Sequence, residues 1–234
     1  MAVSKRAVLI FAENLGADLA RRRLPRVAER LLSGHRAAAQ LSGADVHLFT
    51  TGVTTSSNEH AARVHAQTGA TFAERLENAT ATLAALGYDE IVMIGRDCPE
   101  LCARDIRTAF AQLAHKRLVL GPDHRGGCYL IGFRASDCAL LHGIRWRRNT
   151  DCAQLRDRCA AGDVLLLTTK HDVDSWADVL SLARSNSGDA LTRCARFLLK
   201  LISAAPAKSA TTFVDLARHF VRVRGQMPPP VLAG

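Results

Sequence analysis

Six short apolar runs punctuate the chain: AVLIFA (7–12), DVHLFTTG (45–52), EIVMIG (90–95), RLVLGP (117–122), CYLIGF (128–133) and DVLLLTT (163–169). Each is mainly apolar and bounded by turn residues, the pattern of strands buried on both faces of a mostly parallel sheet. Between them lie helical patterns. The first covers 19–41, with Leu19, Leu24, Val27, Leu31 and Leu32 near helical spacing and Pro25 interrupting it early. Others fall at 72–86, 103–114, 151–160 and 175–184. Strands alternating with helices predict a three-layer α/β unit over residues 1–184. Ligands of such sheets lie beyond the carboxyl ends of the strands, so the residues after "FA", "MIG" and "LGP" are the ones to inspect.

The pattern changes at about Ser185. "ALTRCARFLLKLISAA" and "ATTFVDLARHFVRVRG" read as two amphipathic helices, and "QMPPPVLAG" as a tail. Residues 185–234 are therefore expected to form a helical extension. Covering the sheet domain is the favoured role, with a homodimer contact as the alternative.

Composition narrows the class. Of the 234 residues, 48% are hydrophobic and 23% charged, an ordinary balance for a globular chain. No apolar run reaches the roughly 18 to 20 residues of a membrane span. The opening "MAVSKRAVLIFAENLG" lacks a cleavage pattern and reads as a first strand rather than a signal peptide. Seven cysteines, none in a C-x-x-C pair, suggest reduced thiols in a cytoplasm. The net charge of +9 invites a nucleic-acid reading, but aromatics are only 5% and no basic stretch carries interleaved aromatics. A basic surface for phosphate-bearing small molecules explains the charge equally well.

Three places carry candidate chemistry. Asp97, in "GRDCPE", sits on a strand-end turn suited to a hard divalent cation, and equally to capping the helix near 103. In "KHDVDSWADV", Asp172 and Asp174 would point to opposite faces of an extended segment. Asp174 reads as a helix cap, which leaves Asp172 the better second ligand. Arg21, Arg22 and Arg23 follow the first strand and could clamp phosphates or form a solvated face. Gly126-Gly127 suits either a tight hairpin or close backbone approach to a ligand. Cys98 is expected to be a buried, inert thiol.

Together "IGRDCPEL" (94–101), "LVLGPDHRGGCYLIGF" (118–133) and "HDVDSWADV" (171–179) resemble the radical-SAM/selenodomain-associated transferases of bacteria. "QTGATFAERLENA" (67–79) and "IRW" (144–146) fit the same family's pattern, so the resemblance covers about residues 7–184. It implies the glycosyltransferase A-type (Rossmann-like) fold, related to nucleotidyltransferases, and a nucleotide or nucleotide-sugar as ligand beside an unknown small-molecule acceptor. It further implies a catalytic and metal-binding role for Asp97. Asp172 or Asp174 would lie across the site, holding Mg2+ or Mn2+ with it. Phe11, Ala12, Arg21, Arg23, Arg125, Gly126 and Gly127 would then face the nucleotide and its phosphates.

The chain also departs from that family. Glu13 and Asp18 replace a lysine and a glycine of its first loop, and Arg125 replaces the acidic residue before the double glycine. An Asp-to-Arg exchange shifts local charge by two and would weaken a cation site there. The expected function is sugar transfer from a nucleotide-sugar. The alternatives are nucleotidyl transfer and a nucleotide-binding protein that has lost catalysis, with metal-independent binding through Arg125 as a variant.

Overall fold

The computed structural model describes residues 4–12, 25–51, 62–173, 175, 177–178, 180, 184 and 196. The predicted first loop with Glu13, Asp18, Arg21 and Arg23, the second acidic residue Asp174, and the helical extension apart from Arg196 fall outside these residues. Strand β1 (Arg6–Ala12) is followed by α1 (Pro25–Gln40), β2 (Asp45–Thr50), β3 (Arg63–Ala66) and α2 (Phe72–Ala85). Then come β4 (Glu90–Ile94), α3 (Ala103–Gln112), β5 (Leu118–Pro122) and β6 (Cys128–Arg134). Helix α4 (Asp151–Arg156) and β7 (Val164–Leu166) complete the order, with short 3-10 turns at Ala135–Leu141 and Ala161–Asp163.

The seven strands form one sheet in the order β3-β2-β1-β4-β6-β5-β7. β1 pairs in parallel with β2 and β4, whereas β6 runs antiparallel to both β4 and β5. The sheet is thus mixed and mostly parallel. Its central strands are buried along nearly their whole length, which is why they are continuous apolar runs. Two hydrophobic cores lie on its two faces. One packs Leu32, Ala39, Ile106 and Phe110 of α1 and α3 against Val8, Ile10 and Val92. The other packs Leu76 and Leu83 of α2 with Leu141 and Leu155 against Leu9, Met93 and Phe133. Helices on both sheet faces make the three layers that the strand–helix alternation predicts.

Two differences from the sequence pattern have physical causes. β3 carries no apolar run: its four residues, RVHA, form a short edge strand with little burial. The run at 163–169 gives a strand of only three residues. Beyond it the chain still follows β5, with the Leu167 and Lys170 amides donating to the carbonyls of Leu120 (2.8 Å) and Pro122 (3.1 Å). Among the described residues no helix is long and apolar enough to cross a membrane.

Candidate functional site

A cavity of about 410 Å³ opens beyond the carboxyl ends of β1 and β4, beside the β5–β6 hairpin. β4 delivers its first wall. After Ile94 the chain turns through Gly95, Arg96 and Asp97, all of which line the cavity. The N-cap position of α3 belongs to Cys102, whose amide donates to the Asp105 carboxylate (2.9 Å). Cys98, beside it, is buried, and burial pushes its thiol pKa up, so it is inert packing.

The second carboxylate arrives from the edge of the sheet, after β7. The segment after β7 is clasped to the Asp97 loop and the start of α3. Val173 N–H donates to the Asp97 carbonyl (2.7 Å), and His171 N–H to the Glu100 carboxylate (2.9 Å). Lys170 Nζ donates to the Glu100 carbonyl (3.1 Å) and pairs with Asp105. This clasp sets Asp172 on the same cavity as Asp97. Buried His35 braces the loop from α1, its Nε2 lying 2.9 Å from the Cys98 carbonyl.

The hairpin makes the floor. Asp123 Oδ1 accepts from the amides of Arg125 (2.6 Å) and Gly127 (3.0 Å), organising the turn. Gly126 has φ +100°, and a Cβ there would stand 2.2 Å from the Asn149 carbonyl oxygen. A Cβ on Gly127 would stand 2.5 Å from the Asp123 carboxylate. The paired glycines therefore serve the hairpin and the close approach of the chain's own atoms, while Gly127 also reaches the cavity. Arg125 forms an ion pair with Asp178 (2.8 Å). Burial tends to raise the Asp178 pKa, but hydrogen bonds from Arg125 and Ser175 outweigh it and hold the carboxyl below its ordinary value. Ser175 and Asp178 also exchange bonds in the manner of a capping box, Ser175 N–H to Asp178 Oδ2 at 2.8 Å and Asp178 N–H to Ser175 Oγ at 3.3 Å.

The far wall is the segment before α4. Trp146, Arg147, Asn149 and Asp151 line the cavity, with Arg147 and Asn149 in the left-handed region (φ 62° and 58°). Phe11, Phe72 and Trp146 make an aromatic side: the ring centroids of Phe11 and Phe72 are 5.3 Å apart, and those of Phe72 and Trp146 6.1 Å. Arg147 lies over Phe72, 5.7 Å from its centroid. Asp151 is only 8% exposed, and burial raises its pKa against the opposing pull of the Arg147 and Arg148 amides.

Of the residues the sequence singles out, Phe11, Asp97, Gly127 and Asp172 meet on this cavity. Ala12, Arg125 and Gly126 are not among its described walls. Ala12 is buried, and its carbonyl accepts from Gln67 Nε2 (3.1 Å), which also bonds the Phe49 carbonyl (3.0 Å). Sequence reasoning assigned no site role to Arg96, Trp146, Arg147, Asn149 or Asp151. The one available signal was the fit of "IRW" to a family pattern, with the polar run "RRNTD" directly after it. Among the described residues no three His, Cys, Asp or Glu side chains converge into a metal cluster. Two carboxylates facing one cavity still suit a hard cation that takes its other ligands from water and phosphate.

The family described as "Uncharacterized protein conserved in bacteria (DUF2064)" matches residues 34–148. No curated protein matches the chain. Among solved structures, the "putative nucleotide-diphospho-sugar transferase" of Desulfovibrio desulfuricans G20 is similar, with a TM-score of 0.70 at 23% identity, covering 86% of this chain and 96% of that one. A cytidylyltransferase of Leptospira borgpetersenii serovar Hardjo-bovis has a TM-score of 0.56 at 14% identity, covering 86% and 96%. Rv0371c of Mycobacterium tuberculosis H37Rv, in complex with manganese, has a TM-score of 0.51 at 16% identity, covering 78% and 100%. At these identities the likeness establishes the fold: a mixed α/β sheet of the kind found in nucleotidyltransferases and nucleotide-sugar transferases.

Proposed function

We propose that the chain binds a nucleotide-sugar in this cavity and transfers its sugar to a small-molecule acceptor. The observation that carries the reading is the clasp, which brings Asp97, after the central strand β4, and Asp172, after the edge strand β7, to one cavity. The cavity's charge supports the same reading. Its described walls carry four carboxylates, Asp97, Asp123, Asp151 and Asp172, against the guanidiniums of Arg96 and Arg147. A diphosphate entering such a site needs added positive charge. A divalent cation held by Asp97 and Asp172 would supply it and offset the charge developing on the leaving phosphate. Arg96, 4% exposed and fixed at the end of β4, adds a permanent charge from the protein. Nucleotidyl transfer, favoured by the likeness to the Leptospira cytidylyltransferase, is the second reading, since both reactions use this apparatus.

The test combines binding with product analysis. Nucleoside triphosphates and nucleotide-sugars are screened by thermal shift with Mg2+, with Mn2+ and with chelator, and each hit is followed by mass spectrometry. Sugar transfer predicts a metal-dependent shift with a nucleotide-sugar and release of nucleoside diphosphate, and Asp97→Asn loses both. Pyrophosphate release from a triphosphate selects nucleotidyl transfer. Binding without turnover selects a nucleotide-binding protein lacking catalysis.

A further inference from the structure

The cavity wall that enters α4 contains two polar atoms that the protein leaves unmet. Asp151 is more than nine-tenths buried, and its Oδ1 has no hydrogen-bond partner, while its Oδ2 accepts from the Arg147 amide (3.2 Å). Trp146 Nε1 is buried without an acceptor. Both residues line the same cavity, on the wall formed by the segment entering α4. Buried polar groups are normally paired, and leaving one unmet costs about 1–3 kcal/mol. Two such atoms on one cavity wall mark a place that a ligand completes.

Their chemistry defines that ligand. The indole N–H can only donate, and an ionised carboxylate can only accept. A phosphate would satisfy Trp146 but be repelled by Asp151, with the Asp123 carboxylate also acting on that site. An ammonium would satisfy Asp151 but offer Trp146 nothing. A hydroxyl both gives and takes. The neighbouring Phe72 and Phe11 rings supply an apolar side against which the carbon face of a sugar ring can pack.

We infer that Trp146 and Asp151 form a hydroxyl-reading subsite for a sugar ring, on the cavity wall that enters α4. The inference rests on the proposed function and deepens it. The sugar has two possible sources, the donor's own glycosyl group or a carbohydrate acceptor.

The chain has two tryptophans, Trp146 and Trp176, so Trp176→Phe leaves Trp146 as the sole indole reporter. Its emission is titrated with UDP-glucose and GDP-mannose, with UDP and GDP, and with millimolar glucose and mannose in the presence and absence of the nucleotides. A change with a nucleotide-sugar but not its nucleotide assigns the subsite to the donor's sugar. A change with free monosaccharide assigns it to the acceptor. Trp146→Phe, which removes the N–H and keeps a ring, and Asp151→Asn are then measured by calorimetry with the responding ligand. Each should weaken it about tenfold, with a larger loss for the sugar-bearing ligand than for the bare nucleotide. Nucleotide binding with no sugar-dependent change in Trp146, or wild-type sugar affinity in both variants, overturns the inference and leaves the nucleotide reading standing. Failure of every nucleotide to bind overturns that reading, while the free-monosaccharide arm still decides the subsite.

Discussion

Two buried polar clusters in this fold obey opposite rules. At the amino ends of β2 and β4, His47 is fully buried, its Nδ1 2.9 Å from His65 Nε2 and its Nε2 2.9 Å from the Tyr88 hydroxyl. Tyr88 donates to Asp45 (2.6 Å) and accepts from Arg63 (3.0 Å). Because the tyrosine proton goes to Asp45, His47 Nε2 must donate and Nδ1 must accept from His65. In that arrangement both ring nitrogens of neutral His47 have partners. At the carboxyl ends, by contrast, Asp151 and Trp146 each keep a buried atom without a partner. A cluster closed on itself stabilises the fold, and one left open awaits something from outside.

The largest expected effect tests the closed cluster. Burial, then the neighbouring His65 and Arg63, lower the His47 pKa to about 4. The unfolded value is about 6.5, so the unfolded chain takes up the proton first as pH falls. The His47 contribution is therefore fully present above about pH 6.5 and is lost between there and about pH 4, reaching roughly 3 kcal/mol at the lower end. His35, also lowered by burial, acts in the same direction. Urea midpoints measured from pH 7.5 to 4 should show the loss, and His47→Gln should flatten that dependence. An unchanged slope in the variant would break the contrast.

Next in size, Tyr88→Phe removes the hydroxyl shared by His47, Asp45 and Arg63 and should destabilise by about 1–3 kcal/mol in urea unfolding. Asp151→Asn should do the reverse. Relieving an incompletely satisfied buried carboxylate should leave stability unchanged or raise it by up to about 1 kcal/mol. A large loss would place Asp151 among the structural groups. Smallest is Arg125→Ala. The Arg125–Asp178 pair is partly exposed, so breaking it should change stability by less than about 1 kcal/mol.

Residue patterns made the sheet legible because central strands buried on both faces must be continuously apolar. They did not show β3, whose RVHA lies at an edge where little burial is required. Asp97 and Asp172 were legible as carboxylates on strand-end turns. Their convergence was implied only by the family resemblance, because it depends on bonds from 170–173 to 97–105 that no local pattern encodes. Arg125 shows a second limit. Its charge was readable, but its partner Asp178 belongs to a segment more than fifty residues later. Trp146 and Asp151 were missed because an unmet hydrogen bond is a property of packed surroundings, and the sequence shows only the side chain.

The clasp also has a kinetic meaning. His171 and Lys170 reach Glu100 across 71 and 70 residues of chain. Closing loops of that length costs roughly 4 kcal/mol of chain entropy before any contact rewards it. Such contacts form after the local hairpin β5–β6, so the two carboxylates meet late, when β7 docks along β5. In pulse-labelling hydrogen exchange, the amides of His171 and Val173 should gain protection after those of Ile131 and Gly132. A refolding or newly synthesised chain then completes its local hairpin before the two carboxylates are brought together.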